Sequence, residues 1–236
     1  MKRSTQTIRL AALVAASALA LSACGGSSSG SDGTKASSNT PKGDGVLTIG
    51  TLLPQTGDLA FLGPPEIAGV GLAIKDINAA GGVNGKPVVV SNADSGDGTP
   101  KIAPRSVDKL LAAKSDVIIG AASSSVSLSV IDKIVGAGVV EFSPANTSTA
   151  CDTYDDKGLY FRTAPSDVLQ GAVLGNLVMQ DGAKNIAILA RQEAYGEALA
   201  SQAEKTIKDQ GGTVAAKVLY SVDASSYTSE IQKIKD

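Results

Sequence analysis

The sequence predicts an α/β protein with doubly wound parallel sheets, and three observations carry that expectation. From residue 46 onward, short apolar runs alternate with segments of helical period. Most of those runs show no polar alternation, as in strands buried on both faces. A long irregular stretch, 144–165, separates two groups of such βα units, giving a first lobe at 45–162 and a second at 163–236. This order predicts right-handed crossovers.

The chain opens with a cationic "MKRSTQTIR" and twelve apolar or small residues, "LAALVAASALAL", which together read as a secretory signal over 1–23. A spanning helix needs about 20 such residues, so the run is too short to remain as an anchor. Next come Leu21, Ser22, Ala23 and Cys24, and then a tract to residue 44 of glycine, serine and short polar residues. Twenty residues of that kind form a flexible linker with a typical reach of about 25 Å.

Strands are expected at 46–53, 87–90, 116–120, 139–143, 185–190 and 213–220. Between them, Ile67, Val70, Ile74 and Ile77 form one helical stripe, stopped by "AAGG". Val107, Leu110 and Leu111 suggest a second, with Pro104 either opening that helix or distorting its first turn. Val130, Ile131, Ile134 and Val135 make a third. In the second lobe, Leu169, Val173, Leu177 and Val178 follow a Ser166-Asp167 start, and another helix follows Tyr195 as far as "DQGG". The last segment, "SYTSEIQKIKD", reads as a helix with Ile231 and Ile234 on one face. The second group then has two strands, too few for a covered parallel sheet. The sequence therefore reads as the front part of a longer protein, one whose second lobe is incomplete and which binds ligand poorly as it stands.

Composition narrows the chemistry. The 236 residues include no histidine, which excludes a Ser-His-Asp triad and an HExxH zinc site. Lys2, Arg3 and Arg9 precede Cys24, and without them 18 bases face 23 acids, so no basic surface for nucleic acid is expected. Cys151 is the only cysteine after Cys24 and reads as a free thiol or as half of a bridge. No metal site and no cofactor are expected. "NTS" at Asn146 matches a glycosylation sequon by chance, and "GVNG" and "GDG" are turn chemistry.

Ligands in open parallel sheets bind beyond the carboxyl ends of strands. "AASSSVS" (121–127) and "PANTST" (144–149) occupy such places. Ser123, Ser124 and Ser125 open a helix, where free N–H groups favour a carboxylate or phosphate, although a serine there can equally serve only as a cap.

Taken in order, "IGTLLPQTGDLAFLG", "AIKDINAAGGVNGKPV", "VIIGAASSSVS" with "FSPANTS", "LYFRTAPSD" and "AYGEALA" resemble the branched-chain amino-acid-binding type of ABC transporter substrate-binding protein. The resemblance covers 46–236 and implies a two-lobed type I periplasmic-binding fold. It places the family's ligand serine on Ser124, its carbonyl donor on Ala145, its threonine on Thr147 and the second-lobe tyrosine on Tyr195. Serine and threonine would hold the substrate carboxylate, while the alanine carbonyl and threonine hydroxyl accept from its ammonium. The start at Cys24 resembles the bacterial lipobox, which implies a lipid on that cysteine and an extracytoplasmic, membrane-tethered protein. The family implies a monomer that hands its ligand to ABC permease and ATPase subunits, with a hinge near 161–164. Departures are Leu62, with Phe61 beside it, where some members carry a ligand-contacting aromatic, and Ser123 where some carry a disulfide cysteine. The acid that receives the ammonium in amino-acid binders would lie beyond residue 236, so a short amide, a urea-like compound and a carboxylic acid all stand beside an amino acid as ligands. A sensor or co-receptor role uses the same fold. A serine hydrolase acting through Ser124 is the alternative of a different class, and it lacks both a histidine and an S-x-x-K lysine.

Overall fold

The computed structural model describes residues 43–97 and 101–235. The expected signal, Cys24 and nearly all of the linker lie outside them. The first lobe is a parallel sheet of five strands, β1 (Thr48–Leu53), β2 (Val89–Asp94), β3 (Val117–Gly120), β4 (Val140–Ser143) and β5 (Tyr160–Arg162), in the order β2-β1-β3-β4-β5. Helices α1 (Gly63–Ala79), α2 (Ala103–Ala112) and α3 (Ser124–Gly136) connect them. The strand order reverses between β1 and β3, and a crevice opens there because their connections leave on opposite faces of the sheet.

The first-lobe core has two parts because α3 is apolar on more than one side. Val126, Val130 and Ile134 pack with Leu52, Val107, Leu110 and Ile118. Ile131 and Val135 pack instead with Cys151 and Tyr160. Pro104 sits in the first turn of α2, where its missing N–H costs nothing, so the helix starts at the proline. The α1 stripe is only half-buried at Ile67, Val70, Ile74 and Ile77.

Two strand expectations need correction. The second strand is not 87–90 but Val89–Asp94, because Asn78 brackets Val88, accepting from its N–H at 2.7 Å and donating to its carbonyl at 3.2 Å. The strand then runs on through Ser91 and Asn92, polar residues that an edge position tolerates and that no apolar run would mark. Nor is 144–165 wholly irregular, since it contains a 3-10 turn (Thr149–Cys151) and β5. With three residues, one of them arginine, β5 offers no periodicity to read.

In the second lobe, β6 (Asn185–Arg191) pairs in parallel with β7 (Thr213–Tyr220), flanked by α4 (Asp167–Gln180), α5 (Ala194–Asp209) and α6 (Thr228–Lys235). Here the expected stripe of α4 is not its packed face. Leu169, Val173 and Leu177 are exposed, and the buried positions are Asp167, Gly171 and Gly175. A Cβ on Gly171 would lie 2.4 Å from Gln202 Cβ, and one on Gly175 would lie 2.7 Å from Thr206 Cβ, so the two helices approach more closely than larger residues permit. Among the described residues no helix is long and apolar enough to cross a membrane.

Candidate functional site

The first wall of the site is made by the turns after β3 and β4. Gly120 has φ +133°, and a Cβ there would stand 2.0 Å from the Leu52 carbonyl, so only glycine lets β3 end against β1. The chain then enters α3 with Ser123 at the N-cap, and no side chain caps this helix. Its first N–H groups and the positive end of its dipole are left for another acceptor.

A buried polar network fixes the two turns to each other. Asn146 Nδ2 donates to the carbonyls of Ala121 (3.0 Å) and Ala122 (2.9 Å), and its Oδ1 accepts from the Tyr160 hydroxyl at 2.8 Å. Ser143 Oγ donates to the Ala121 carbonyl at 2.7 Å and accepts from the Ala145 and Asn146 amides. Asn146 is fully buried, in accord with the chance reading of its sequon.

Ser124 belongs to this network as well. It is 2% exposed, and its Oγ accepts from the N–H of Thr147 at 3.2 Å and of Ser148 at 3.3 Å. Two bonds occupy both lone pairs and leave the hydroxyl proton to donate. Thr147 is buried too, and its Oγ1 has no hydrogen-bond partner among the described residues. Beside it lies the fully buried Asp167, whose carboxyl burial pushes up to about 6 although the Thr147 hydroxyl pulls it down, and which donates its own N–H to the Thr147 carbonyl at 2.7 Å.

These turns border a cleft of about 340 Å³. On the first-lobe side, Ser123, Ser124, Ala145 and Thr147 line it, with Leu59, Phe61 and Leu62 from the β1–α1 turn as an apolar flank. Gln170, Arg191, Glu193 and Tyr195 line it from the second lobe. The Tyr195 hydroxyl accepts from Gln170 Nε2 at 3.3 Å, and Gln170 also donates to Asp167.

Five of the six ligand residues named from the sequence therefore meet on one cleft: Ser123, Ser124, Ala145, Thr147 and Tyr195. Ser125 does not line it. Its hydroxyl donates to Glu193 Oε2 at 3.1 Å and accepts from the Ala194 N–H at 2.9 Å, so it joins the two lobes. Sequence reasoning missed Gln170, Arg191 and Glu193. Arg191 carried a usable signal, because it directly follows an apolar run and so stands at the carboxyl end of a strand. Among the described residues no cluster of acids or cysteines could hold a metal.

Comparison with known proteins agrees with this architecture. The family model for periplasmic binding proteins matches residues 46–236. The leucine-, isoleucine-, valine-, threonine- and alanine-binding protein of Pseudomonas aeruginosa is 31% identical over 192 residues, covering 80% of this chain and 51% of that protein. A Leu/Ile/Val-binding protein homolog of Brucella abortus is 29% identical with the same coverage. Among solved structures, a periplasmic binding protein of Burkholderia mallei superposes with TM-score 0.73 at 22% identity, covering 82% of this chain and 51% of that one. The branched-chain amino acid transporter substrate-binding protein of Streptococcus pneumoniae, solved with isoleucine, gives 0.69 at 26% identity, covering 80% and 54%. The chain spans about half the length of the curated relatives it matches. By its sequence from residue 46 onward and by its fold, the chain belongs to the periplasmic binding protein family.

Proposed function

We propose that this protein captures a small carboxylate-bearing solute in the cleft between its lobes and presents it to an ABC importer. The observation that carries the reading is the uncapped start of α3, flanked by the Ser124 hydroxyl and by a buried Thr147 hydroxyl that makes no hydrogen bond of good geometry. Such an arrangement offers two hydroxyl donors and backbone N–H groups to one carboxylate. The Ala145 carbonyl, on the same wall, suits an ammonium or amide N–H. Its relatives' names favour an amino acid as the solute. Tyr195 approaches from the second lobe, and ligand bridging the two walls favours the closed arrangement through contacts that the open one lacks. The lipobox-like run before Cys24 supports a lipid tether on the extracytoplasmic face of the membrane.

Calorimetric titration with amino acids and simple carboxylates tests the reading. Thr147→Val removes a hydroxyl that makes no hydrogen bond of good geometry in the free protein and only eases the buried Asp167 carboxyl, so it should weaken binding by about 1–3 kcal/mol at a smaller cost in stability. Ser124→Ala should weaken binding similarly and also lower stability, because it leaves the Thr147 and Ser148 amides without their acceptor. Unchanged affinity in both variants would move the site elsewhere.

A further inference from the structure

The cleft contains a cation that a single carboxylate on the first lobe does not use. Arg191 ends β6 and lines the cleft from the second lobe, across from Ser124 and Thr147. Among the described residues no carboxylate pairs with it. The second-lobe lysines take Glu204 and Asp209, while Asp152 is held by Arg162. On its other side Arg191 borders an apolar groove formed by β6, α4 and α5, which supplies no counter-charge.

Glu193, the acid that lines the cleft, is committed. Glu193 caps α5, its Oε1 accepting from the Gly196 N–H at 2.7 Å and its Oε2 from Tyr195 N–H and Ser125 Oγ. Its charge therefore answers the positive end of that helix. Asp167 is fully buried at the start of α4, where Gln170 Nε2 donates to it, and it does not line the cleft. A half-buried arginine lining a cleft that offers it no free carboxylate is suited to an anion supplied from outside.

We propose that Arg191 is a second anion subsite, so that the solute carries an acidic group at each end, as in a linear dicarboxylate or an acidic amino acid. One carboxylate sits on Ser124, Thr147 and the start of α3, the other on Arg191, and the methylenes between them lie along Leu59 and Leu62. The inference rests on the first-lobe carboxylate site proposed above.

The test is calorimetric titration of the purified protein, Arg191→Gln and Arg191→Lys. Succinate, glutarate and adipate are compared with butyrate, valerate and hexanoate, and L-glutamate with L-norvaline. At least one diacid should bind about 10- to 100-fold more tightly than the monoacid of equal length, the range expected for a charge-assisted pair. Arg191→Gln should bring that diacid down to the level of its monoacid, and Arg191→Lys should keep part of the preference. Equal affinity for diacid and monoacid in the parent protein, or a preference that survives Arg191→Gln, overturns the second subsite and leaves the first-lobe site standing. If none of these acids titrates, the first-lobe carboxylate reading has failed and the subsite falls with it.

Discussion

Glu141 lies in the middle of β4, fully buried behind the binding turns, and replacing it with glutamine should change how stability depends on pH. Burial pushes its carboxyl from 4.5 up to about 8, while the Ser127 hydroxyl and the Ala121 amide pull the other way without offsetting it. Neither oxygen has a hydrogen bond of good geometry. A raised folded-state value means that the fold prefers the protonated acid. Its contribution to stability is complete below about pH 4.5, declines as pH rises, and is fully lost above about pH 8. At 1.36 kcal/mol per unit, the loss is about 3 kcal/mol at pH 7 and about 5 kcal/mol above pH 8. Glu141→Gln keeps the shape and a donor but cannot ionise, so it should gain on the parent protein by these amounts as pH rises. Asp167, raised to about 6 by burial, has the same sign in an overlapping range, but it is present in both proteins and cancels in their difference. Tyr160, Cys151 and Tyr154, the other groups whose ionisation Glu141 affects, are all raised and stay neutral through pH 8. Chemical denaturation of both proteins from pH 4.5 to 8.5 reads the difference directly. Parallel stability curves over that range would refute the buried, protonated acid.

Two further outcomes follow from the tether and the second lobe. Cys24→Ser should move the protein from the membrane fraction to the soluble one, and unchanged membrane retention would rule out the lipid anchor. Gly171→Ala forces a methyl group to within 2.4 Å of Gln202 Cβ, so α4 and α5 must separate. A loss of about 1–3 kcal/mol in unfolding free energy is expected, and no loss would mean that the helices are not held that closely.

Strands built around an unbroken apolar run could be read from the sequence, as at β3 and in residues 186–190 of β6, because the run itself marks them. What could not be read was set by neighbours. The polar half of β2 pairs because β1 lies beside it, with Thr51 Oγ1 donating to Asn92 at 2.7 Å. The short β5 exists because β4 offers an edge. On α4 the helical period was legible but the packed face was not, since glycines at 171 and 175 decide it by letting α5 come close rather than by being apolar. At the site, the family resemblance and the helix start named five positions that the structure brings to one cleft. Ser125 could not be told from Ser124, its chain neighbour, because their roles differ only in direction: one hydroxyl turns to the second turn of its own lobe, the other to Glu193 across the cleft.

The two amides that converge on Ser124 also bear on how tightly anything can bind. A loop that must be ordered by its ligand takes that entropy out of the affinity. Here the Ser124 oxygen already holds the Thr147 and Ser148 backbone, and Asn146 holds the turn behind them. The first-lobe wall of the cleft is thus held by hydrogen bonds of its own. Differences in affinity between solutes will then arise in the movement of the other wall, and they should show in dissociation rates more than in association rates.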